Sequence, residues 1–123
     1  MKVVINKCYG GFGISNEARL ELIKRKSKLV RVVEARADEY GYFKRMIERG
    51  VFTKVKGKVY ADDASDDENR TDKDLIEIVE RLGEKANGQY AKLAIVEIPD
   101  GIEWEIDEYD GIESIEETHR SWS

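Results

Sequence analysis

The residues best suited to chemistry form one run, Lys7-Cys8-Tyr9-Gly10-Gly11-Phe12-Gly13-Ile14-Ser15, between an apolar stretch and a polar helical one. Gly10, Gly11 and Gly13 let the backbone turn successive N–H groups toward a common point. A helix starting after Ser15 adds a partial positive charge there. Such a unit can cradle a phosphate, with Lys7 or Ser15 assisting and Tyr9 and Phe12 carried in the same loop. It has no Gly-Lys-Ser/Thr ending, so it is not the loop of nucleotide hydrolases, and its glycine spacing misses the dinucleotide fingerprint. A tight strand-to-helix connection would use the same glycines.

A second cluster closes the chain. His119 is the only histidine, Arg120 could pair with a phosphate, and Trp122 could stack on a base. The competing role is an anchor, with Trp122 plugging a sheet edge while the charges stay wet. Arg70 stands among seven acids beside Thr71, where it either neutralises local charge or reaches an anion near the start of the next helix.

Catalytic groups are harder to assemble. Glu103, Glu105 and Asp107 alternate with Trp104 and Ile106, the pattern of a solvated sheet face rather than of an acid/base pair. Cys8 at a strand end has no recognisable base near it and reads as packing. Asp62, Asp63, Asp66, Asp67, Glu68, Asp72 and Asp74 do not follow the ligand spacing of a calcium loop. No catalytic residue, metal or cofactor is therefore assigned, and enzymatic activity is the less favoured reading.

These groups must be positioned by a chain of 123 residues, which fits a single domain over 1–123. Charged residues make up 38%, and 26 acids against 21 basic residues leave a formal charge of −5. That balance opposes nonspecific binding to nucleic acid or anionic membrane. A single cysteine rules out an internal disulfide, and the apolar stretch after Met1 is too short for a signal peptide or a membrane span. A cytoplasmic protein is expected. Two tryptophans and six tyrosines in so short a chain favour burial between subunits, so a homo-oligomer is expected too.

Hydrophobic spacing predicts α+β architecture: a mixed, mostly antiparallel sheet of four to five strands with about three helices and a C-terminal β-hairpin. Val3, Val4 and Ile5 are consecutive, as in a strand buried on both faces. Ser15 suits the N-cap of a helix from Asn16 to about Lys26, with Ala18, Leu22, Leu20 and Ile23 on its inner side. Leu29–Glu34 reads as a short strand, and Asp38 could cap a helix ending at Gly50. Val51–Tyr60 reads as a strand or a small hairpin turning at Gly57. Residues 61–71 read as an acidic surface loop. Thr71 then caps a helix from Asp72 to about Leu82, with Leu75, Ile76, Val79 and Leu82 as its core stripe and Gly83 as its C-cap. Strands at 90–98 and 102–108, joined through Pro99-Asp100-Gly101, form a hairpin. Tyr109-Asp110-Gly111 is another turn, and Ile112 begins a last strand.

The opening Met-Lys-Val-Val-Ile-Asn-Lys-Cys-Tyr-Gly-Gly-Phe-Gly-Ile-Ser-Asn-Glu-Ala resembles a group of small, largely uncharacterised proteins encoded by bacteriophages and prophages. The likeness continues at Arg70-Thr71-Asp72, at Ala91–Asp100, and at Trp104-Glu105-Ile106, Tyr109–Glu113 and His119-Arg120-Ser121-Trp122. The resemblance implies a setting, the phage accessory protein that counters host defence, and no mechanism. In that setting the expected function is binding of a phosphate-bearing small molecule, such as a nucleotide immune signal. The alternatives are a module that inhibits a host defence protein, or a small structural protein. The expected site is Lys7, Tyr9, Gly10, Gly11, Phe12, Gly13, Ser15, Arg70, His119, Arg120 and Trp122.

Overall fold

The computed structural model describes residues 1–34 and 41–118. In chain order the elements are β1 (Lys2–Asn6), α1 (Asn16–Lys24), β2 (Val30–Val33), α2 (Tyr42–Glu48), β3 (Thr53–Val55), β4 (Lys58–Asp62), α3 (Lys73–Leu82), β5 (Leu93–Glu97), β6 (Trp104–Tyr109) and β7 (Ile112–Glu117). The α+β class, the three helices and the C-terminal hairpin are as the sequence suggests. The strands number seven and divide into three small antiparallel sheets, β1–β5, β2–β4–β3 and β6–β7.

Three apolar residues in a row cannot hide on one side of a strand, so β1 needs cover on both faces. Val4 joins the cluster of α1 and α3 residues around Leu22, Leu75 and Ile78, all fully buried. Val3 and Ile5 face the other way, onto Ile98, Trp104 and Ile115 of the C-terminal segment. The β1–β5 ribbon is thus the middle layer between the helices and the β6–β7 hairpin. The β2–β4–β3 sheet lies beside α1, held by Arg19, whose side chain reaches Asp62 of β4 at 2.8 Å and Thr53 of β3 at 3.0 Å.

Local chemistry sets the element ends. Ser15 accepts from the Ala18 N–H and caps α1. At α3 the cap is Asp72, which accepts from Asp74 and Leu75, and not Thr71. A carboxylate outcompetes the adjacent hydroxyl because its charge also meets the helix dipole. Gly41 stands at the N-cap of α2 with φ of 68°, not inside the helix, and the expected cap Asp38 lies outside the described residues. The β3–β4 hairpin turns at Lys56-Gly57, both with positive φ.

The hairpin expected across Pro99-Asp100-Gly101 does not form. β5 pairs with β1 (Val4 opposite Ile95), and β6 pairs with β7 across Asp110-Gly111. A turn signal fixes a reversal of direction and leaves the choice of partner to burial. Residues 61–71 are likewise only partly a surface loop: Ser65, Asp66, Asp67 and Glu68 are exposed, whereas Ala64 and Arg70 are buried.

Arg70 explains that anchoring. It is 2% exposed and lies against Glu113 of β7 in a two-pronged pair at 2.6 and 2.8 Å. Its remaining N–H groups go to the carbonyls of Ser65 and Val4. Glu113 also accepts from the Asn6 N–H at 2.8 Å. No buried side-chain nitrogen or oxygen among the described residues lacks a partner.

Two outcomes follow from these contacts. Arg70→Met should lower the unfolding free energy by about 3–5 kcal/mol, because Glu113 stays buried without its guanidinium. The double variant Arg70→Met/Glu113→Leu should recover much of that loss in chemical denaturation, and strictly additive losses would deny the coupling. Between helices, the Arg81 hydrogen bond at 2.6 Å holds the Glu21 carboxyl below its usual range. Its folded pKa being lower, this contribution is complete above the unfolded value of 4.5 and fades as pH falls through the folded one. Glu21→Gln should therefore flatten the acid limb of the stability–pH curve below pH 4.5, and an unchanged limb would contradict the assignment.

Candidate functional site

The glycine loop leaves β1 under unusual constraint from two neighbours. Gly111, at φ 88°, packs so closely that a Cβ there would meet the Gly10 and Gly11 nitrogens, and the Gly10 N–H donates to Asp110 O at 3.3 Å. On the other side Gly88 donates to Gly13 O at 2.8 Å, and a Cβ on Gly88 would lie 2.7 Å from the Gly13 carbonyl carbon. The loop is thus clamped between the β6–β7 turn and the segment before β5. The close approaches are made by Gly88 and Gly111; of the loop's own glycines only Gly10 is crowded, where a Cβ would lie 2.7 Å from Tyr90 Cβ.

The clamp leaves something over. The N–H groups of Gly11, Phe12, Gly13 and Ile14 donate to no described residue. These four residues line a cavity of about 310 Å³, whose opposite wall comes from α2's end and the β2–β4–β3 sheet. Phe52 and Tyr90 supply rings to it, and Arg19, Arg31 and Arg49 supply cations. Arg19 is neutralised by Asp62 at 2.8 Å and Arg31 by Asp63 at 3.3 Å. Arg49 is exposed and its guanidinium pairs with no described residue, so it gives the cavity one uncompensated positive charge.

A second hollow of about 260 Å³ adjoins the first and shares Ile14, Arg49, Gly50, Gly88 and Gln89 with it. Its further walls are Ser15, Asn16, Glu48 and Asn87. The two hollows thus lie side by side, with Arg49 and Gln89 lining both.

The expected site residues separate accordingly. Gly10, Gly11, Phe12 and Gly13 line the main cavity. Ser15 lines the second hollow, with its hydroxyl already engaged by Ala18 and by the Lys85 carbonyl. Lys7 and Tyr9 are exposed and form no part of either wall. Arg70 lies behind the loop: all five of its N–H groups are used internally, and its guanidinium sits 3.8 Å from the centre of the Phe12 ring. It therefore has no donor for a ligand and supports the loop from beneath. His119, Arg120 and Trp122 lie outside the described residues.

Sequence reasoning missed Arg49, Glu48 and Gln89. Nothing in their spacing marks them, since α2, the glycine loop and residues 87–89 meet only through the fold. Comparison with protein-family models, with curated proteins and with solved structures finds no match for this chain. No helix among the described residues is long and apolar enough to cross a membrane.

The Gly13–Gly88 contact can be tested directly. Gly88→Ala should destabilise by about 1–3 kcal/mol, because the extra methyl must push two backbones apart. Gln89→Ala next to it should stay within about 0.5 kcal/mol, as for an ordinary surface change. Equal denaturation midpoints for the two variants would refute the close-packed clamp.

Proposed function

We propose that the chain is a non-catalytic binding protein for a phosphate-bearing small molecule, held in the cleft between the glycine loop and the end of α2. One observation carries the reading: four consecutive residues whose backbone N–H groups donate to no described residue line a cavity that also holds Arg49, whose guanidinium pairs with no described residue. Half-buried N–H groups ordinarily find partners, and a phosphate offers several strong acceptor oxygens to a curved run of donors. Arg49 adds the charge, and Phe52 and Tyr90 offer rings on which a base could stack. The volume is at the small end of ligand sites, which favours a mononucleotide-sized molecule over a larger cofactor. The resemblance to phage accessory proteins supplies a setting in which capture of a nucleotide signal without turnover would be useful.

A protein-interaction module is the second reading, and one observation favours it. On the outward face of the β6–β7 hairpin Glu105 stands directly opposite Glu116, a like-charge pair that costs stability and that a cationic partner would relieve.

A thermal-shift panel separates the readings. Nucleoside monophosphates, cyclic nucleotides and inorganic phosphate should raise the melting temperature, and the unphosphorylated nucleosides should not. At a hundred times the dissociation constant the stabilisation should be about 2.7 kcal/mol, several degrees for a domain of this size. The shift should disappear in Arg49→Ala and persist in Arg25→Ala, which alters an α1–α3 ion pair away from the cleft. A flat panel would overturn phosphate capture and direct attention to the acidic hairpin face.

A further inference from the structure

The second hollow differs in chemistry from the first. Besides Ser15 and the shared Arg49, its polar lining residues are Glu48 and the three amides Asn16, Asn87 and Gln89. The Asn16 oxygen is used by Arg19 and Thr53, and the Asn87 oxygen by the Leu93 N–H, which fixes both side chains with NH₂ groups that donate to no described residue. Neither Glu48 nor the Gln89 amide pairs with any described residue. A carboxylate acceptor lining the same hollow as two fixed amides is a complement of neighbouring hydroxyls, each of which donates once and accepts from another group. It is poorly suited to a second phosphate, which Glu48 would repel.

Resting on the phosphate reading above, we infer that the cleft takes a sugar phosphate with a free vicinal diol, the phosphate on the glycine loop and Arg49, the diol on Glu48 and the amides. The two hollows share Arg49, Gly88 and Gln89, so one ligand can occupy both. A carboxylate that accepts from ribose hydroxyls is an established way of reading that group. Glu48 and Arg49 are adjacent in the chain at the end of α2, so a single helix terminus places the diol acceptor beside the phosphate cation. The walls around them differ: the amides come from α1 and from the segment before β5, the free N–H groups from the glycine loop. The two recognitions are therefore separable by substitution.

Isothermal titration calorimetry with ribose 5-phosphate, 2-deoxyribose 5-phosphate and inorganic phosphate tests this. Ribose 5-phosphate should bind about tenfold more tightly than its 2-deoxy counterpart, the loss expected for one hydrogen bond to a charged acceptor. Glu48→Gln should erase most of that preference, and Arg49→Ala should weaken both sugar phosphates together. If inorganic phosphate binds through Arg49 but the two sugar phosphates bind equally, the diol inference fails and the phosphate reading stands. If a preference for the ribose compound survives Glu48→Gln in full, the assignment of Glu48 fails. If none of the three binds, both fall.

Discussion

The pair between Arg70 and Glu113 ties together parts of the chain that share no secondary structure. The arginine belongs to the segment before α3, the carboxylate to β7, and through them the Val4 carbonyl, the Asn6 N–H and the Ser65 carbonyl are held in one buried network. Desolvating two charges costs about as much as their attraction returns, so hydrophobic burial around Leu22, Leu75 and Ile78 accounts for stability better than this pair does. What the pair adds is position. A planar guanidinium with five used donors tolerates little displacement of any acceptor. It therefore fixes where the β6–β7 hairpin lies on β1. The Phe12 ring, 3.8 Å above that guanidinium, hands the constraint on to the glycine loop.

Elements governed by local chemistry are legible in the sequence. Val3-Val4-Ile5 reads as doubly buried and is; Ser15 caps α1; Gly83 closes α3 with φ of 58°. Pairing is not legible to the same degree. Pro99-Asp100-Gly101 marks a reversal correctly, yet β5 joins β1 from the other end of the chain, with Ile95 opposite Val4. β1 has one edge to offer, and β5 carries the apolar residues that continue its inner faces. That competition is settled by long-range burial, which no dipeptide records.

Charged residues are the least legible. Arg19 is followed in sequence by Lys24, Arg25, Lys26 and Lys28, yet it is 2% exposed and binds Asp62, Thr53, Asn16 and two backbone carbonyls. Arg70 reads either as a neutraliser of the acids around it in sequence or as an anion ligand near the start of the next helix; its partner is a distant glutamate instead. Both differences have one cause. Whether an arginine is structural or available depends on how many acceptors the fold brings to its five donors, and the decisive acceptors here lie 31 to 43 residues away. Arg49 is the opposite case, an ordinary residue in sequence whose guanidinium meets no acceptor among the described residues.

The glycine loop shows how the scaffold and the cleft depend on each other. Gly111 and Gly88 press its backbone from two sides, so it cannot curl to pair its own N–H groups, and Phe12 cannot leave without exposing the Arg70 guanidinium. Donors held in this way would meet the proposed ligand with little further ordering, which would remove part of the entropy that binding otherwise loses. A loose loop with the same glycines would close on itself or on water and would have to be reopened. Close approach thus requires glycine at Gly10, Gly88 and Gly111, while the N–H groups from Gly11 to Ile14 donate to no described residue. The two are linked, because a backbone pressed from both sides has little freedom to turn those donors onto its own carbonyls.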